Sequence, residues 1–156
     1  MAGMRIRKGV NTTMNQLGIV YWSGTGNREI MANCIAEGAR EAGARVELMG
    51  PSEFSAARFS QFNVVAFGCP AMGAEVLEEM EFEPMFQGIE GVLSGKKIAL
   101  FGSYGWGDGQ WMRDWCTRCD NANANLYDPE GLMVNEVPDD AAQAKCRELG
   151  RKLATW

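Results

Sequence analysis

The chain has 156 residues, 46% hydrophobic and 22% charged, with a net charge of −5 and no His. That length suits one domain with a single sizeable core, and no apolar run approaches the span of a bilayer. The acidic balance argues against nucleic acid and for basic protein partners, and the missing His removes Ser-His-Asp, Cys-His and His-ligated metal chemistry.

Residues 1–13 hold Arg5, Arg7 and Lys8 with no acid and show no clear period. They read as a disordered or non-native leader before a domain over 14–156. No secretory signal follows them, and five Cys, an odd number, argue for reduced thiols in the cytoplasm. A first strand is predicted over 16–22 and a helix over 27–42, with Gly43 where a C-terminal cap belongs. Arg45-Val46-Glu47-Leu48-Met49 reads as a second strand, followed by a short helical stretch to about Gln61. Val64-Val65-Ala66-Phe67-Gly68-Cys69 is apolar throughout and so reads as a central strand. Further on, a helix is predicted over 84–94, a fourth strand over 97–102 and a helix over 110–120. A fifth strand over 126–137 is interrupted at Asp128-Pro129, and a last helix starts at Asp139 and Asp140 and ends near Ala154. Strands alternating with helices predict an α/β domain with a parallel sheet and right-handed crossovers.

Three loops fall at carboxyl ends of strands, where such folds bind ligands. Ser23-Gly24-Thr25-Gly26-Asn27 joins the first strand to the first helix. Its glycines allow close backbone approach, and the helix start adds free N–H groups, so it reads as a phosphate cradle. It lacks the Lys of a nucleotide triphosphate loop, and Glu29 stands where the dinucleotide fingerprint has its third Gly. A plain turn capped by Ser23, Thr25 or Asn27 is the alternative. The loop 70–75 offers Met72, a polarizable thioether, and the Gly-rich loop 103–109 offers Trp106, a flat ring. Together they suit a planar ring on a phosphorylated tail, although either side chain alone would also suit packing against the body. Cys116 and Cys119 form a Cys-x-x-Cys spacing without a second pair, which reads as two incidental thiols on one helix.

The chain resembles the short-chain flavodoxins. The residues that carry the likeness are Ile19-Val20-Tyr21-Trp22-Ser23-Gly24-Thr25-Gly26-Asn27, then Ala71-Met72-Gly73 with Glu75-Val76-Leu77-Glu78-Glu79 and Glu81-Phe82-Glu83-Pro84. The run Ala99-Leu100-Phe101-Gly102-Ser103-Tyr104-Gly105-Trp106-Gly107-Asp108-Gly109, Trp111-Met112-Arg113-Asp114 and Asn135-Glu136 also fit. The resemblance implies a three-layer sandwich on a five-stranded parallel sheet in the order 2-1-3-4-5. It implies one non-covalent FMN, cycling between semiquinone and hydroquinone as a low-potential one-electron carrier rather than an enzyme. An FMN-dependent quinone or flavin reductase is the runner-up. A phosphoacceptor receiver is rejected, because Cys69 and Pro70 stand where its Asp would be.

By the same resemblance, Ser23, Gly24, Thr25, Gly26 and Asn27 surround the FMN phosphate, with Arg28 and Ser103 as added contacts. Met72 covers the inner ring face and Trp106 the outer. Glu75 accepts from flavin N3–H, and the Gly73 carbonyl turns toward N5. Ala71, Tyr104, Gly105 and Gly107 complete the binding set. Arg28, Pro70 and Ala74 depart from the usual family residues. The acidic segment 75–83 is expected either to dock basic redox proteins or to form a solvated face. A monomer without membrane or metal is expected.

Overall fold

In the computed structural model, which describes residues 15–22, 26–72, 76–105 and 107–156, the first apolar run forms strand β1 (Gln16–Tyr21). The expectations for residues 1–13 lie outside the described residues. Helix α1 (Asn27–Glu41) follows and ends one residue short of the predicted bound. Gly43 takes φ +98° just past the end, its N–H bonding to Arg40 O and that of Ala44 to Ala39 O. That pairing of the last carbonyls is why a glycine stands there.

Strands β2 (Arg45–Met49) and β3 (Val64–Gly68) bracket two 3-10 turns, Pro51–Glu53 and Ala56–Gln61, in place of one short helical stretch. Helix α2 (Phe82–Glu90) starts two residues before the sequence suggests and stops four earlier. Pro84 is tolerated because it sits in the first turn, where its missing N–H costs no helical bond. Strand β4 (Lys97–Tyr104) runs two residues past expectation, and helix α3 is Gln110–Asn121. The interrupted fifth strand becomes β5 (Asn125–Leu126) and β6 (Leu132–Asn135), both parallel to β4. Between them the Asp128 carboxylate accepts from Glu130 N–H at 2.9 Å, and Gly131 turns the chain at φ +72°. Helix α4 (Asp140–Ala154) closes the fold, with Asp139 as its cap accepting from Ala142 N–H at 2.8 Å.

The sheet order is β2-β1-β3-β4-β5, with β6 extending the fifth position beside β4. All pairings are parallel. Alternate residues of each strand feed two cores. Leu17, Ile19, Val64, Ala66 and Phe101 pack with α1 and α4, while Val20, Val65, Phe67 and Leu100 pack with α2 and α3. The result is the expected three-layer sandwich. Helices α1 and α4 cross so closely that a Cβ on Gly38 would strike the Arg147 carbonyl, and one on Gly150 the Ile35 carbonyl. At the amino pole of the sheet, Asn15 Nδ2 donates to Leu153 O at 2.7 Å and to Trp156 O at 3.2 Å, and Lys97 Nζ also donates to Trp156 O.

Candidate functional site

At the carboxyl pole the strands stay laced together beyond their regular ends. Trp22 N–H donates to Gly68 O, Cys69 N–H to Phe101 O, Ala71 N–H to Ser103 O and Glu136 N–H to Tyr104 O, at 3.1, 3.2, 3.1 and 2.7 Å. These bonds hold the described ends of all three predicted ligand loops at one pole of the sheet. They also bring a fourth segment, after β6, which sequence reasoning left without a role in the site beyond the resemblance of Asn135 and Glu136. Gly102 is required here: a Cβ on it would strike the Cys69 carbonyl oxygen and the Trp111 ring.

Gly26 takes φ +93° as the residue before α1 and has no side chain with which to cap it. The first-turn amides of this 15-residue helix therefore face the loop end, where a phosphate would receive them. Asn27 Nδ2 donates to Glu136 O at 3.3 Å, and Glu136 is itself held in the left-handed region at φ +61°. One proton of the Asn27 amide is thus committed to the fourth segment. Arg28 lies in the first turn of α1.

Met72 is half-buried, and its N–H donates to Val76 O at 2.9 Å, closing the neck of the second loop. The loop is anchored from below by Cys69. Its Sγ accepts from Glu78 N–H at 3.3 Å and its carbonyl from Trp111 Nε1–H at 3.2 Å. Ser103 is 3% exposed at the end of β4. Tyr104 leans on Trp111 with ring centroids 5.5 Å apart. Beyond it Gly105 has open space where a Cβ would be, and Gly107 and Gly109 turn at φ +87° and +90°. Arg113 ties this third loop down, donating to Asp108 O and Asp108 Oδ1 at 3.0 Å each.

Of the expected site residues, the structure brings Gly26, Asn27, Ala71, Met72, Ser103, Tyr104, Gly105 and Gly107 to this pole. Ser23, Gly24, Thr25, Gly73, Glu75 and Trp106 lie outside the described residues, as does Ala74. The residues present fit a phosphate-bearing flat ring: amides at the helix start, a buried hydroxyl at the strand end, and glycines where close approach needs them. Among the described residues no cluster of three or more His, Cys, Asp or Glu could hold a metal ion. No described helix is long and apolar enough to cross a membrane.

The acidic segment is corrected by the structure. Glu78 is only 4% exposed, so it belongs to no docking face. Its carboxylate accepts the N–H groups of Met80, Glu81 and Phe82 at 2.7, 2.8 and 2.8 Å, and this cap is what starts α2 early. Glu83 and Glu90 both pair with Arg118, at 2.7 and 2.8 Å. Glu79 and Glu81 remain exposed, and Glu81 Oε1 also accepts from Trp22 Nε1–H at 2.9 Å. No spacing in the sequence separates these roles.

The flavodoxin family model matches residues 19–150. The chain is 48% identical to a flavodoxin of Clostridium beijerinckii over 136 residues, covering 87% of this chain and 97% of that one. It is 45% identical to the Megasphaera elsdenii flavodoxin, covering 87% and 96%. The solution structure of the two-electron reduced Megasphaera elsdenii flavodoxin superposes with a TM-score of 0.80 at 42% identity, covering 90% of this chain and 100% of that one.

Proposed function

The chain belongs to the flavodoxin family, electron carriers rather than enzymes, and on that premise we propose that it holds one non-covalent FMN at the carboxyl pole of its sheet. The observation that carries this reading is that the described ends of the three loops lie at one pole of the sheet, where α1 starts behind a glycine N-cap. When bound, the flavin supplies one-electron chemistry at low potential; the protein binds and tunes it. Ser23, Gly24, Thr25, Gly26 and Asn27 hold the phosphate, with Ser103 beside them, and Arg28 adds a cation. Met72 and Trp106 cover the two ring faces and exclude water. Glu75 orients the ring by accepting from N3–H. The Gly73 carbonyl meets a proton at N5, a glycine being free to take either side of a peptide flip. Ala71, Tyr104, Gly105 and Gly107 shape the loops around the ring. The chain acts as a monomer in the cytoplasm and serves basic redox proteins.

Reductive titration after adding FMN and removing the excess tests this. We expect one flavin retained per chain, passing through a blue one-electron-reduced species before bleaching. Loss of all flavin on desalting would overturn the FMN assignment, and steady NAD(P)H consumption would favour a reductase. Stacking on an aromatic ring is worth about 1–3 kcal/mol. Trp106→Ala is therefore expected to raise the FMN Kd by roughly 5- to 150-fold.

A further inference from the structure

Among the described residues, two other than glycine have a positive φ, Asn123 at +62° and Glu136 at +61°. Asn123 turns the chain just past α3, and asparagine is among the side chains that tolerate the left-handed region. Glutamate has no such tolerance, so its surroundings must hold it there. They do so from both sides. Glu136 N–H donates to Tyr104 O at 2.7 Å, just past the last paired residues of β4 and β6, and Asn135 Nδ2 donates to the same carbonyl at 3.3 Å. On the far side Pro138 is buried, and its carbonyl accepts from Gln143 Nε2–H at 3.1 Å just before the Asp139 cap of α4.

The Glu136 side chain is exposed, so the residue makes its inward contacts through its backbone. Its carbonyl accepts from Asn27 Nδ2–H at 3.3 Å, across 109 residues of sequence. Asn27 is the first residue of α1, directly after Gly26. Tyr104 at the root of the third loop, Glu136, and Asn27 at the exit of the first are thus strung on one line of hydrogen bonds. A side-chain amide has two N–H groups. With one fixed on Glu136 O, the plane of the Asn27 amide is set, and the second N–H is left for an anion at the start of α1. At an ordinary negative φ, with the Glu136 N–H still on Tyr104, the Glu136 carbonyl would be carried away from Asn27.

We propose that Glu136 is a positioning residue for the phosphate end of the flavin site, acting through its left-handed backbone on the Asn27 amide. The proposal rests on the FMN reading above and adds the residue that aims Asn27. FMN and riboflavin, which has the same ring and ribityl chain without the phosphate, are titrated into the flavin-free chain. A β-branched residue is a poor occupant of the left-handed region, and at this exposed position it costs the fold little. Glu136→Val is expected to raise the FMN Kd at least about fivefold and to leave that of riboflavin within about twofold. Glu136→Gly is expected to raise neither, because glycine takes this φ without strain. With Asn27→Ala already present, Glu136→Val should weaken FMN binding no further, as for two residues acting as one unit. An unchanged FMN Kd in Glu136→Val would overturn the proposal. So would an equal loss for riboflavin, an equal loss in Glu136→Gly, or a full further loss on top of Asn27→Ala. If the unmodified chain binds neither flavin, the FMN reading falls, while the NMR shifts of the two Asn27 Nδ2 protons in the flavin-free chain still decide the strap. They should agree between the unmodified chain and Glu136→Gly and move toward free-amide values in Glu136→Val; equal shifts in all three would overturn it.

Discussion

Glu78 commits every polar atom it has to the backbone around it. Its N–H meets Cys69 Sγ, its carbonyl accepts from Glu83 N–H, and its two carboxylate oxygens take three amides. Burial pushes its pKa up, but the hydrogen bonds from Phe82, Glu81 and Met80 outweigh that and hold it below the usual carboxylate value. A carboxylate whose folded pKa is lowered adds stability above its unfolded pKa of about 4.3. That stability is lost as pH falls through the lower folded value. Glu78→Gln keeps one acceptor and turns an amide group toward the other N–H donors. It should lose about 1–2 kcal/mol at pH 7 and much less at a pH below the folded value. Urea unfolding at the two pH values checks this, and an equal loss at both would refute the charged role. In the sequence Glu78 is one acid among several, because what buries it is the turn that follows, not its spacing. Glu136 is similar: nothing in its neighbours foretells a left-handed residue whose carbonyl holds Asn27.

At the level of elements, the helices and strands themselves were legible. Apolar runs and periodicity gave β1 to β4, and Asp128-Pro129 correctly broke the fifth strand. The early start of α2 escaped because its local Glu78 cap is one acid among several, and other misses were set by contacts distant in sequence. The crossing of α1 over α4 is one such case. Gly38 reads only as a small residue on an apolar face, and Gly150 carries no signal, yet each admits the other helix's backbone. Gly38→Ala and Gly150→Ala should each destabilise the protein by about 1–3 kcal/mol through overpacking. Gly88→Ala, in α2 with nothing near its would-be Cβ, should stabilise by about 0.5–1 kcal/mol. Chemical denaturation of the three variants separates close approach from helix propensity.

Across the whole molecule, two cores on either side of one sheet take in all five thiols: Cys34, Cys69, Cys116, Cys119 and Cys146 are buried. Burial raises the Cys34 thiol, and pushes Cys116 up to about 11 and Cys119 and Cys146 up to about 12. Nearby carboxylates add to the rise at Cys116. Thiolate is the reactive form, so a disulfide reagent at pH 8 should modify none of them within minutes in the folded chain and all five in denaturant. Rapid native labelling of Cys116 or Cys119 would instead revive a redox role for their spacing.

The knot that Asn15, Lys97 and Trp156 tie at the amino pole has a consequence for architecture. Asn15 and Trp156 thus lie together at this pole, a full strand length from the ligand loops. A tether or a neighbouring module attached there would hang behind the working face without shading it.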